Sequence, residues 1–108
     1  MNNKMQRITR EFGGYNPKRY SKPWIARVVE WPIGGRPVLE FGEYIGDEDG
    51  GECEIMAAVG DVVKYGKKDN RNINGTLNEF GIVREDLSIE RVTMGTARKQ
   101  FLTNKKEE

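Results

Sequence analysis

Glycine, proline and acidic turns cut this 108-residue chain into short β-branched and aromatic runs, and that punctuation leaves room for little beyond short strands. The first run, Trp-Ile-Ala-Arg-Val-Val-Glu-Trp, is closed by Pro32 and predicts a strand over 24–31. After Pro32-Ile33-Gly34-Gly35 a second strand is expected over 37–45. Leu39, Phe41 and Ile45 would share one face of it, Glu43 would interrupt that face, and Gly42 would mark a bulge or sharp bend. Gly46-Asp47-Glu48-Asp49-Gly50-Gly51 reads as a hairpin loop, because Gly and Asp tolerate the positive φ of such turns. The run 52–59 alternates most clearly: Cys53, Ile55, Ala57 and Val59 on one face, Glu52 and Glu54 on the other. Further strands are expected over 62–65, 79–84 and 87–92, with turns at Gly60-Asp61 and Glu85-Asp86 and a polar loop over 66–78.

The two ends differ from this middle. Gly13, Gly14, Pro17 and Pro23 interrupt residues 1–23, which read as an extended basic arm. Thr93 can cap a short helix in which Met94, Ala97, Phe101 and Leu102 recur at helical spacing, followed by a frayed tail over 105–108. The expected organisation is an arm, one β domain over 24–104, and the tail. Short antiparallel strands joined by Gly-rich turns argue for a mainly β fold, a small antiparallel barrel or sandwich, and not a parallel sheet. No apolar run approaches the roughly 20 residues of a membrane span. Residues 1–10 lack the apolar stretch of a signal peptide, so a cytoplasmic protein is expected.

Two resemblances bear on these runs. Gly60-Asp61-Val62-Val63, followed after a polar loop by Phe80-Gly81-Ile82-Val83, resembles the strand-loop-strand of SH3-like small barrels, including KOW-type modules. That resemblance implies a five- or six-stranded barrel whose loops bind protein or nucleic acid, although the thirteen-residue loop is longer than the tight KOW connection. The stretch from Pro23 to Val83, with its Pro-Trp-Ile-Ala-Arg-Val, Leu-Glu-Phe-Gly and Gly-Asp-Val-Val-Lys-Tyr-Gly-Lys-Lys-Asp phrases, is similar to small uncharacterised phage and prophage proteins. It implies an accessory protein that acts by binding and carries no catalytic residues onto this chain.

The side-chain inventory narrows function. There is no His and a single Cys, Cys53, so the usual zinc sets, imidazole bases and Ser-His or Cys-His nucleophile pairs are absent from the sequence. A non-enzymatic protein without cofactor or metal is expected. Cys53 alternates with Ile55 on an apolar face and reads as a buried, inert thiol. Trp24 and Trp31, an odd number of residues apart, should lie on opposite strand faces, leaving one as a candidate surface anchor.

Charge is the strongest signal. Net charge is +1, yet residues 1–37 hold 8 basic and 2 acidic side chains, residues 38–61 hold 8 acidic and no basic ones, and residues 62–108 hold 10 basic and 7 acidic ones. A strongly dipolar molecule follows. Three readings of the acidic hairpin stand side by side. It can keep a sheet edge soluble and pair with the basic arm. It can dock on a basic groove of another protein through Glu43, Asp47, Glu48, Asp49, Glu52 and Glu54. It can hold Ca²⁺ at 47–52, although the twelve-residue spacing of a hand-type loop is missing. The arm interleaves cations and aromatics in a mixture suited to phosphates and base stacking: Lys18, Arg19, Tyr20, Lys22 and Trp24, which Lys67, Lys68 and Arg71 would extend.

The expectation is therefore a phage-type accessory protein that binds, and inhibits, a host protein or nucleoprotein machine, an inhibitor of CRISPR nucleases being the sharpest version. A nucleic-acid-binding small barrel and a phage assembly subunit are the alternatives, and oligomeric state stays open.

Overall fold

The computed structural model describes residues 4–12, 23–47, 50–68 and 76–107. They form strands β1 (Gln6–Glu11), β2 (Trp24–Glu30), β3 (Val38–Phe41), β4 (Glu43–Asp47), β5 (Gly50–Ala57), β6 (Val62–Lys68), β7 (Thr76–Val83) and β8 (Ile89–Val92), then helix α1 (Met94–Lys106). Every pairing is antiparallel, in a three-stranded sheet of order β1-β5-β4 and a five-stranded sheet of order β3-β2-β6-β7-β8.

The larger sheet is the middle layer. On one face Ile25, Val63, Tyr65 and Val83 meet Ile8, Phe12, Cys53, Ile55 and Ala57 of the small-sheet side. On the other, Val28, Val62 and Phe80, joined by Trp31, receive Ala97 and Phe101 of the helix. Burial on both faces explains why Val62-Val63 and Ile82-Val83 are apolar without alternation, whereas β5, with one solvated face, alternates cleanly. Ile8 and Ile25 are wholly inaccessible, each stabilising the fold by about 1.5–3 kcal/mol relative to exposure.

The helix starts where Thr93 accepts a 3.2 Å hydrogen bond from the Thr96 N–H. Its docking is fixed by Trp31, stacked 5.4 Å from Phe80 and tilted against Phe101 at 6.4 Å, and by the Asn104 amide, which donates to the Gly60 carbonyl at 2.9 Å. Gly60 itself turns the chain from β5 into β6 with φ +92°, a conformation that favours glycine.

Several expectations are corrected. Residues 6–11, read as part of a basic arm, form β1, and Ile8 and Phe12 enter the core. The single strand expected over 37–45 is two strands in different sheets. The chain crosses at Gly42, whose N–H donates to the Ile25 carbonyl at 2.8 Å. Leu39 and Phe41 therefore lie on the large sheet while Ile45 lies, half-exposed, on the small one, and the three do not share a face. The hairpin loop is shorter than expected, since β4 runs to Asp47 and β5 begins at Gly50. Likewise β6 and β7 extend into the expected 66–78 loop, reaching Lys68 and starting at Thr76. The helix takes in Lys105 and Lys106, expected in the tail. A register shift between Val28 and Glu30 reverses the alternation, so Trp31 joins the helix-side core on the same side as Trp24 and not opposite it.

Candidate functional site

Burial of Cys53, Ile55 and Ala57 forces Glu52, Glu54 and Met56 to the outer face of the small sheet. Register then decides their company. Glu54 stands opposite Glu43 on β4, and Glu52 opposite Glu11 on β1. Opposed Cβ atoms in such pairs lie about 4.5–5.5 Å apart, and residues two apart along a strand about 7 Å, so four carboxylates spread over three strands in a patch of about 10 by 7 Å. Like charges directly opposite destabilise a sheet, and this one carries two such pairs side by side. Arg7, opposite Met56 on the same face, reaches Glu54 at 3.5 Å.

Beside this patch lies a cleft of about 330 Å³ at the Gly42 crossing. Met5, Phe41 and Met56 line it with 40%, 61% and 49% of their surfaces exposed, a concentration of large apolar surface next to the carboxylates. Arg27 is held on its rim by Glu40 at 2.7 Å and by Asp61 at 3.9 Å. The crossing depends on glycine: a Cβ at position 42 would stand 2.1 Å from the Glu54 carbonyl oxygen.

Of the residues expected in the acidic contact surface, Glu43, Glu52 and Glu54 are brought together on one face. Asp47 pairs with Gly50 at the hairpin end, and Glu48 and Asp49 lie outside the described residues. Among the described residues no cluster of three or more carboxylates or thiols is arranged to hold a metal ion. Of the basic set, Lys18, Arg19, Tyr20, Lys22 and Arg71 lie outside the described residues, while Lys67 and Lys68 pair through their backbones with Leu77 and Thr76. Trp24 is half-buried, packed edge-on against Phe41 at 5.5 Å. Nearby, burial foremost and then the charge of Arg36 lower the pKa of Lys64.

Sequence reasoning missed Glu11, Met5, Phe41 and Met56 as members of this surface. Glu11 comes from a strand about 40 residues distant from its partner, and only strand register reveals the pairing. Cys53 is buried as expected, its thiol 3.2 Å from the Pro23 carbonyl, and burial pushes its pKa up to about 11.

Comparison of the chain with protein-family models, with curated proteins and with solved structures finds no match.

Proposed function

We propose that this chain is a non-enzymatic binding protein, of the accessory kind phages use against host machines, whose acidic sheet face docks on a basic groove of a bacterial protein or nucleoprotein. The observation that carries the reading is the pair of like-charge couples, Glu43 with Glu54 and Glu11 with Glu52, on an exposed face. Solubility needs scattered charge. It does not need carboxylates set directly opposite one another, at a cost of a few tenths to one kcal/mol per pair. The adjoining Met5, Phe41 and Met56 supply the apolar anchor surface that electrostatic docking alone lacks. Inhibition of a nuclease that normally holds nucleic acid is the narrowest form of this proposal, because a dense acidic patch can occupy a groove built for phosphates. The same reading takes the two facing sheets as a small SH3-like sandwich, supported by the chain's passage from one sheet to the other at Gly42.

The test is a stability–function split. Glu43→Lys and Glu52→Lys turn like pairs into opposite pairs and are expected to leave melting temperature unchanged or raise it by a few degrees. The doubly reversed chain, immobilised and exposed to a bacterial lysate, is expected to lose the proteins that the wild-type chain captures reproducibly. Equal capture by both chains refutes the acidic face as the contact surface.

A further inference from the structure

Among the described residues, five arginines of the sheets are engaged: Arg7 with Glu54, Arg27 with Glu40 and Asp61, Arg84 with Glu90, Arg91 with Glu79, and Arg10 over the Tyr65 ring at 4.8 Å. The helix differs. Its thirteen residues, Met-Gly-Thr-Ala-Arg-Lys-Gln-Phe-Leu-Thr-Asn-Lys-Lys, carry four cations and no acid. Among the described residues, the side chains of Arg98, Lys99 and Lys106 have neither an ion pair nor a hydrogen bond.

Helical geometry puts these cations together. Ala97 and Phe101 face the sheet, and at 100° per residue Arg98, Lys99 and Lys106 fall within an arc of about 100° on the outer side of the helix, while the Lys105 ammonium lies 5.8 Å over the Phe101 ring. A shallow groove of about 450 Å³ runs along that arc, lined by Gly95, Arg98, Lys99, Leu102, Thr103 and Lys106. From Arg98 to Lys106 the row is about 12 Å long at 1.5 Å per residue, the length over which one strand of a duplex presents three to four phosphates.

We infer that the outer face of α1 is a second binding surface, independent of the acidic face, and that it takes the phosphate backbone of nucleic acid. An anionic membrane fits less well. The apolar stripe that insertion would need is spent on the sheet, leaving Met94 and Leu102 as the exposed apolar side chains of the helix. A second copy of the chain fits less well too, because Glu54, at the centre of its carboxylate patch, is already engaged by Arg7.

The experiment measures fluorescence anisotropy of a labelled 20-base-pair DNA duplex with the full-length chain at 50 and 200 mM salt. Three neutralised phosphates predict a drop in affinity of about 40-fold between the two salt concentrations. The triple variant Arg98→Ala, Lys99→Ala, Lys106→Ala is expected to bind at least tenfold more weakly at 50 mM salt and to lose most of the salt dependence. Its melting temperature should stay within about 2 °C of wild type. Should it melt lower, the single variants Lys99→Gln and Lys106→Gln each still reduce the slope of log affinity against log salt by about 0.9. An Arg19→Ala, Lys22→Ala variant is expected to bind as wild type does. The inference is overturned if wild type shows no binding at 50 mM salt, if the helix variants bind like wild type, or if the variant at residues 19 and 22 loses binding instead. Binding to anionic vesicles without binding to DNA overturns it as well, and so does a salt-sensitive rise in molecular mass in the absence of DNA.

Discussion

Replacing Gly42 by Ala adds one methyl group at the point where the chain passes from the large sheet to the small one. The new Cβ would lie 2.1 Å from the Glu54 carbonyl oxygen, 2.9 Å from its carbonyl carbon and 3.0 Å from the Ile55 Cβ. Two of these are backbone atoms of a central strand, so relief requires moving β3 and β4 off β5 by about 1 Å. Overpacking of this kind costs about 1–3 kcal/mol. The same movement stretches the 2.8 Å bond from the Gly42 N–H to the Ile25 carbonyl, a loss of about 1 kcal/mol. Together these amount to about 2–4 kcal/mol, or a fall in melting temperature of about 10–25 °C for a domain of this size. Gly95→Ala is the matched control. A Cβ there meets nothing within 4 Å, and alanine in place of glycine within a helix stabilises by about 0.5–1 kcal/mol, so this variant should melt several degrees higher. Thermal melts and denaturant midpoints of both variants read the contrast directly. If Gly42→Ala shifts the melting temperature by less than 3 °C, β3 and β4 do not cross against β5 as described.

Truncating Phe101 to Ala should cost about 3–5 kcal/mol, because it empties the space between Trp31, Phe80 and the helix; a red shift of tryptophan fluorescence below the melting transition would report Trp31 becoming wet, and a loss below 1 kcal/mol would count against that packing. Cys53 carries a pH dependence whose sign is fixed by its raised pKa. The unfolded chain releases the thiol proton near 9.0 while the folded chain holds it until about 11. Stability therefore falls as pH rises from 9 to 11, by about 2–3 kcal/mol in all, and Tyr65, its pKa raised by burial and then by Glu79, adds to the fall at the upper end. Denaturant midpoints from pH 8 to 11, with Cys53→Ala removing the fall that begins near pH 9, check this; labelling of the native thiol by a disulfide reagent at the rate seen for unfolded chain would contradict it.

Legibility in the sequence followed exposure. The β5 alternation was readable because one face of that strand is core and the other water, and the helix was readable from Thr93, Ala97 and Phe101. β1 was not. Between Gln6 and Glu11 the one apolar residue is Ile8, and its burial is decided by β5, which lies far along the chain. The tryptophan faces are not legible in the sequence because a register shift within β2 breaks the period of two, a change that composition does not announce. The hairpin carrying the acidic site was visible from Gly and Asp, but the opposition of Glu43 to Glu54 and of Glu11 to Glu52 is a property of register, which emerges only when three separate strands are aligned.

The lateral placement of β1 bears on how the chain assembles. Its six partners on β5 lie about 40 to 50 residues further on, whereas β6, β7, β8 and α1 follow one another and pair locally. On a ribosome, Gln6–Glu11 emerges before the strand it must join has been synthesised. Loop closure over that distance makes its docking a late step, after the hairpins have formed. Until then β5 presents an unpaired edge and Ile55 an uncovered side chain, so the interval before β1 closes the small sheet is when a neighbouring nascent chain can take its place.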